Sequence, residues 1–410
     1  MSDGARRYVI VGNGFAGTTC AEQLRKNDAA CEITLITDEA YTLYNRIALP
    51  PLLRKQVTEQ KVIIRDRAWH EKNNINLLLE TKIERIIPEE KVVTANGKSL
   101  PYDALLLATG GRPNPLAHES AHGARNVFNF QYMDDTKAIS ECLETSKTAV
   151  AIGGSFIAYE LAEAFASRGM ETHWVVRGPH FLRRMLDADA GGMVDDAAKA
   201  DGVHMHYNQE INDVIRSNGA IAKVVTTGGI ELPADCFAVG LGLTMNTEIC
   251  EGTGIRTGTG IICDDRLETD IKGIFAGGDV AEFHDPIAEL HYRMGTWNNA
   301  GAHGKVAAAN MAGGDVRYHD VPEYSSLLFS TQTITQFGVS PELRDDLQTV
   351  RKIDPAAKHY RALYFWKNRL VGGLLLGKGN RAGKRKYLEA IKAKTEFPPG
   401  EWESMLDWTA

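Results

Sequence analysis

Short apolar runs and amphipathic stretches alternate along the start of the chain. Tyr8 to Val11 is an unbroken apolar run, Thr18 to Lys26 carries its apolar positions at helical spacing, and Glu32 to Ile36 returns to a strand-like pattern. With a glycine-rich turn after the first run, the order is strand, turn, helix, strand, which is a βαβ unit. The same grammar begins again at Thr148: Ala149 to Ile152 as a strand, a glycine turn, Ile157 to Arg168 as a helix, and Thr172 to Val176 as the next strand. Between the two units lie an irregular piece from Tyr41 to His70, strand-like runs at Lys91 to Thr94 and Ala104 to Leu107, and the turn-rich Gly110 to Pro115. After the second unit come the strand-like FAVGLG and then IKGIFAGGD. Beyond Pro322 the pattern predicts strands at Thr331 to Phe337, Tyr360 to Trp366 and Arg369 to Leu376, followed by a helix at Lys384 to Lys394, which together make a small α+β piece.

Length and composition narrow the class. At roughly 150 residues per domain, 410 residues imply two to three domains. A chain that is 43% hydrophobic and 24% charged can bury a core and is neither disordered nor fibrous. The net charge of −7 argues against bulk nucleic-acid binding. Six cysteines are scattered without a C-x-x-C or a close pair, so neither a disulfide framework nor a metal site is expected. No apolar run reaches the ~18 residues of a membrane helix, Met1 to Arg7 is polar, and Tyr8 to Val11 is too short for a signal-peptide core. The expectation is a cytoplasmic protein with no integral membrane segment. Glycine, at 39 residues, exceeds the usual ~7%, which asks where the backbone turns tightly or meets a ligand.

Two turns supply an answer. Gly12, Gly14 and Gly17 stand in G-x-G-x-x-G spacing directly between a strand and a helix. In that spacing one glycine makes the turn, one admits a pyrophosphate against the backbone, and one lets helix and strand pack closely. The helix N-terminus then offers N–H groups and positive dipole to phosphate. Asp38 and Glu39 follow about twenty residues on, where an acid accepts from a ribose diol; Glu39 is slightly favoured, and the alternative is an acid that caps a loop. The second turn, AIGGSFIAYE, is degraded: Gly153 is kept, Ser155 replaces the middle glycine and crowds the phosphate approach slightly, and Ala158 takes the third place. Where an acid would bind the ribose of NAD, the chain reads Val175, Val176, Arg177, with Arg183 six residues later and Arg184 beside it. Arginine binds phosphate in a bidentate way, so NADPH or dual use is expected; the alternative is a solvated surface pair.

Four motifs in order, GNGFAG, LLLATGGRP (Leu105 to Pro113), GGSFIAYE and TDIKGIFAGGD ending at Asp279, resemble the two-dinucleotide flavoprotein superfamily of pyridine nucleotide-dependent oxidoreductases. The resemblance covers nearly the whole chain. It implies an α/β fold of glutathione-reductase-like design, with two Rossmann-like dinucleotide-binding domains and a small C-terminal α+β domain. The expected division is an FAD domain at 1–115 and 247–320, an inserted NAD(P) domain at 116–246, and the C-terminal domain at 321–410. FAD is then expected at Gly12, Gly14, Phe15, Ala16 and Gly17, at Asp38 or Glu39, and at Arg46 and Ile83. Ala108, Thr109, Gly110 and Arg112 of the ATGG turn, with Gly278 and Asp279, complete that site. Asp279 is expected to accept from ribityl hydroxyls and helix N–H groups, or to serve only as a helix N-cap. NADH or NADPH is expected at Gly153, Gly154, Ser155, Phe156, Ile157, Glu160, Arg177, Arg183 and Gly240.

Asp38 to Lys55, where the thiol-dependent members of the superfamily keep a redox cysteine, contains none. Tyr44, Arg46 and Leu49 instead match the Y-x-R-x-x-L signature of rubredoxin reductases, oxygenase ferredoxin reductases and the flavin modules of nitrite reductases. Arg46 would then touch the FAD pyrophosphate. The ferredoxin reductases often carry a lysine five residues after that arginine, and here it is Pro51. Gly295 to Gly313 resembles the same branch, with Trp297 at the flavin ring or else an ordinary core aromatic. Glu160 matches the acid that meets the nicotinamide carboxamide, or else an acid that satisfies the helix dipole. Glu160 and Trp297 are the expected catalytic pair.

From Pro355 to Leu388 there is no acidic residue and there are nine basic ones, among them Lys384, Arg385 and Lys386. That asymmetry can steer an acidic protein to one face; a solvated face, an anionic membrane or nucleic acid are the alternatives. The expected activity passes hydride from NAD(P)H to FAD and then single electrons to a small rubredoxin- or ferredoxin-like protein. An oxygen-reducing NAD(P)H oxidase and a flavin-based redox sensor are the other readings, and the chain is expected as a monomer or homodimer.

Overall fold

The computed structural model describes residues 4–329 and 332–408, so Thr331, expected to open a strand, lies outside the described residues. The chain divides into two compact units, each made of three sequence pieces. The first is 1–45, 63–112 and 245–323; the second is 46–62, 113–244 and 324–410.

The first unit is built on a parallel five-stranded sheet in the order Ile274–Ala276, Ala104–Leu107, Arg7–Val11, Glu32–Ile36, Ile75–Leu78. Its strands are short apolar runs because both faces are covered; Ile10, Leu35, Leu105, Leu106 and Leu107 have no exposure at all. The helix Phe15–Asn27 starts three residues earlier than the amphipathic pattern Thr18 to Lys26, directly after its N-cap Gly14. A second helix, Trp297–Met311, lies against it with Thr296 as N-cap, the hydroxyl accepting from Asn299 N–H at 3.3 Å. A three-stranded meander, Ile83–Ile87, Val92–Ala95 and Lys98–Pro101, belongs to this unit and left only its middle strand visible in the sequence pattern.

The second unit holds a parallel sheet in the order Val203–Tyr207, Glu171–Val176, Thr148–Ile152, Cys236–Val239, Val127–Asn129. An antiparallel meander, Ile211–Ser217, Ala220–Thr226 and Glu231–Pro233, shares one apolar core with it: Val150, Ile152, Val175, Phe237 and Val239 from the sheet meet Val214, Ile221, Val224 and Leu232. The same unit contains the C-terminal antiparallel sheet, ordered Glu323–Leu328, Gln332–Gly338, Arg369–Leu376, His359–Trp366, Gln348–Asp354, with the helix Lys384–Lys392 packed on Arg369–Leu376. Two of those strands, Glu323–Leu328 and Gln348–Asp354, are polar enough to have escaped the apolar pattern. No described helix is long and apolar enough to cross a membrane. All six cysteines are free thiols, and no group of three or more metal-ligating side chains gathers among the described residues.

Candidate functional site: two dinucleotide turns

Each glycine of the first turn does a different thing. Gly12 has φ +111°, and a Cβ there would stand 2.1 Å from the Ala108 carbonyl oxygen. A Cβ on Gly17 would stand 1.9 Å from the Gly12 carbonyl oxygen, so this position sets the closeness of helix to strand. A Cβ on Gly14 would meet nothing within 4 Å; it faces open space at the helix N-terminus, where a pyrophosphate can approach the backbone. Beyond the second strand, Tyr44 donates its hydroxyl to the Glu39 carboxylate at 2.5 Å, while Asp38 is exposed. Thr109 and Gly110 are stitched to one residue that the motifs did not reveal: Asn246 donates its amide to the Thr109 carbonyl, its own carbonyl takes the Thr109 hydroxyl, and its backbone N–H reaches Gly110. Arg112, itself exposed, is held by the half-buried Asn246 side chain and by the exposed Glu248. Ile83 is buried at the start of its strand.

Beside the same helix N-terminus, Phe15 and Trp297, the first residues of their two helices, stack with centroids 3.9 Å apart and planes 11° from parallel. The stack is possible because Gly301 leaves room: a Cβ there would lie 2.7 Å from the Phe15 ring. Gly304 does the same for the backbone, its would-be Cβ 2.5 Å from the Ala16 carbonyl oxygen. Asp279 follows Gly278, whose φ is +75°, and Gly295 backs its carboxylate so closely that a Cβ would lie 3.2 Å from Cγ.

In the second unit, Gly153 has φ +128° and lies against the Gly240 carbonyl, 2.2 Å from a would-be Cβ. Ser155 does not stand with its hydroxyl in the phosphate approach. That hydroxyl turns back to donate to the Gly240 carbonyl at 2.7 Å and accepts from Ala158 N–H at 3.3 Å, making Ser155 the helix N-cap. Past the second strand, Leu182 N–H bonds the Gly154 carbonyl and draws the following loop to the turn. Arg183 packs its stem over Gly178, where a Cβ would lie 2.5 Å from Cδ, and both Arg177 and Arg183 are exposed. Arg184 points elsewhere, 3.7 Å from Glu342.

Glu160 lies one turn into the helix Phe156–Ser167. Burial pushes its carboxyl up to about 8, with Arg54 pulling it back and Glu163 pushing it further up. Arg54 itself is committed to Glu163 in a largely buried ion pair at 2.6 Å. Arg54 is the residue just after the short helix Leu49–Leu53, in which Pro51 occupies the first turn. Around them, Tyr159 bonds Ser326, Phe156 lies 4.0 Å from the Tyr324 ring, and burial holds both tyrosines well above their ordinary value. Tyr159 lies within the GGSFIAYE motif but was not singled out, and Arg54, Glu163, Tyr324 and Ser326 carried no motif signal. Arg46, expected at the pyrophosphate, donates to the Gln131 carbonyl at 2.7 Å and lies over the Tyr132 ring.

Two glycine turns, each opening on a helix N-terminus that offers backbone N–H groups and positive dipole, are the arrangement that a dinucleotide pyrophosphate requires. Residues 6–304 match the model of the pyridine nucleotide-disulphide oxidoreductase family, and the chain belongs to that family; it is an FAD-dependent oxidoreductase that uses NAD(P)H. It is 31% identical over 322 residues to the ferredoxin–NAD(+) reductase component of the anthranilate 1,2-dioxygenase system of Burkholderia cepacia, covering 77% of this chain and 78% of that one. It is 27% identical to a rubredoxin–NAD(+) reductase of Pseudomonas putida, covering 92% and 97%. It is also 27% identical to the nitrite reductase [NAD(P)H] of Bacillus subtilis, of which it spans 47%. Among solved structures, the covalent putidaredoxin reductase–putidaredoxin complex matches with TM-score 0.89 at 24% identity over 97% of this chain and 95% of that one. An engineered water-forming NADPH oxidase, made from the water-forming NADH oxidase of Lactobacillus brevis, matches with TM-score 0.84 at 20% identity over 95% and 91%.

The first turn fits FAD on its own geometry: open space beside Gly14, a carboxylate held by Tyr44, and an aromatic stack beside the helix N-terminus.

Proposed function

We propose that the protein takes reducing equivalents from NADPH and delivers them one electron at a time to a small acidic iron–sulfur protein. The observation that carries the second half is the lack of any cysteine from Asp38 to Lys55: with no thiol relay beside the first turn, electrons leave the flavin directly. When bound, FAD supplies the change from two-electron to one-electron chemistry. The chain's own part is positional. Gly12, Gly14 and Gly17 seat the pyrophosphate, Glu39 takes the ribose diol, Asp279 the ribityl end, and the Phe15–Trp297 stack borders the ring. In the second unit, Gly153 to Ile157 seat the nucleotide and Glu160 meets the carboxamide.

Arg177 and Arg183 support NADPH. No acid stands at the end of the strand to repel a 2′-phosphate, and the loop carrying Arg183 is tied to Gly154. In the engineered NADPH oxidase an aspartate was replaced and two arginines were introduced six positions apart, the spacing of Arg177 and Arg183. The C-terminal sheet supports the acidic partner. Lys384, Arg385 and Lys386 open a helix with no acid in its first turn, an arrangement its own dipole disfavours and a nearby anionic surface relieves. Arg344, Lys367 and Arg369 gather within 5.4 Å of the Trp366 ring centroid.

Stopped-flow reduction with NADPH and NADH, followed by turnover with an acidic ferredoxin and with a rubredoxin, tests this reading. The expected result is faster reduction by NADPH and carrier reduction that weakens with salt and with charge reversal at Lys384, Arg385 and Lys386. Oxygen consumption that equals NADPH consumption regardless of added carrier would establish the oxidase reading instead.

A further inference from the structure

His303 is fully buried in the helix Trp297–Met311, and no motif points to it. Its Nδ1 accepts the backbone N–H of Gly278 at 3.3 Å, so the ring proton sits on Nε2, which has no hydrogen-bond partner among the described residues. The edges of Phe283 and Tyr318 close around the ring, each with its centroid 4.8 Å away. The neighbouring backbone is pinned too: Gly277 N–H goes to the Leu107 carbonyl and Ala281 N–H to the Gly278 carbonyl. Gly278 has φ +75°, and its would-be Cβ lies 3.1 Å from the Ala16 Cβ in the first turn. One imidazole acceptor thus ties the Gly277–Gly278–Asp279 turn to the helix Trp297–Met311, while Gly278 itself packs against Ala16 of the first turn.

We infer that His303 is a positioning residue for FAD: its neutral imidazole holds the Gly278 N–H and thereby the backbone that carries Asp279. It acts through the turn and not by touching the reacting atoms. The role needs a neutral ring, and burial keeps it so, pushing the imidazole down to about 3. The titratable groups on that side are Tyr318 at the ring edge and, behind it, Tyr292, which hydrogen-bonds Asp285. On the far side of the turn stands Asp279.

Three proteins decide the matter: wild type, H303Q, whose amide oxygen can accept from Gly278, and H303L, which fills the space without an acceptor. FAD affinity of the apoproteins is read by flavin fluorescence quenching, with no nucleotide or electron acceptor present, so the result is independent of the proposed reaction. An unsatisfied buried N–H in H303L is expected to weaken FAD binding about tenfold or more, with H303Q within about threefold of wild type. An H303L affinity within about twofold of wild type, or equal losses in H303L and H303Q, overturns the inference. Should H303L fail to fold, an FAD affinity of H303Q about tenfold or more below wild type overturns it as well, because the glutamine keeps the acceptor.

Discussion

Replacing Glu160 by glutamine separates two states of one carboxyl. The folded protein holds the Glu160 proton up to about pH 8, against an ordinary value of 4.5, so it binds that proton more tightly than the unfolded chain does. The sign follows: this group's contribution to stability is complete below pH 4.5 and is lost as pH rises to about 8. Each unit in that window costs at most about 1.4 kcal/mol, and partial exposure trims the total to the order of 2–4 kcal/mol. Glutamine has the shape and donor of the protonated acid and cannot ionise. Urea denaturation of wild type and Glu160→Gln should therefore coincide near pH 5 and diverge toward pH 8, with the variant the more stable by about 2 kcal/mol or more. Flavin reduction by the nicotinamide nucleotide, followed by stopped flow, should fall in wild type above about pH 8 and stay flat in the variant. Parallel stability curves, or an inflection near 8 that survives in Glu160→Gln, would refute the reasoning.

Other changes test other parts. Arg54→Met strands Glu163 in a buried setting and should cost about 3 kcal/mol or more, much of it regained in Arg54→Met/Glu163→Gln, by thermal or urea unfolding. Gly14→Ala should leave the apoprotein's stability within about 1 kcal/mol, since its Cβ enters open space, yet weaken FAD binding about tenfold. Gly17→Ala should instead destabilise the fold itself, because its Cβ would lie 1.9 Å from a backbone oxygen. Arg177→Ala and Arg183→Ala should each raise KM for NADPH roughly tenfold and leave KM for NADH nearly unchanged, measured by steady-state reduction of an artificial one-electron acceptor.

Local features were the legible ones. Glu32–Ile36, Ala104–Leu107 and Arg369–Leu376 match their apolar runs residue for residue, because a strand buried on both faces has no choice of composition. The glycine turns were visible because positive φ and sub-van-der-Waals approach leave glycine as the only solution. What escaped the pattern depends on distant pairing. The exposed strand Gln348–Asp354 is polar because its side chains face solvent, where Arg351 pairs with Asp187 and Asp189 and Lys352 with Asp407, and Asn246 and Arg54 meet their partners across long sequence separations. His303 is silent for the same reason, since a single histidine in an alanine- and glycine-rich helix shows nothing of the N–H it accepts. At Ser155 residue type marks the position, but only the fold shows its hydroxyl turned toward the Gly240 carbonyl.

The interleaving of the two units has a bearing on how the polypeptide is made. The flavin-binding sheet takes its edge strand, Ile274–Ala276, from a stretch synthesised well after its central strand Arg7–Val11. The helix that carries Trp297 comes later still. A growing chain that has emerged through the second βαβ turn therefore holds neither unit complete, and its half-built parallel sheet has an apolar edge with no neighbour. Such edges recruit other strands. For a chain wired this way, cofactor loading cannot precede the emergence of roughly three-quarters of the polypeptide, and slow translation through residues 245–323 lengthens the interval in which aggregation competes with folding.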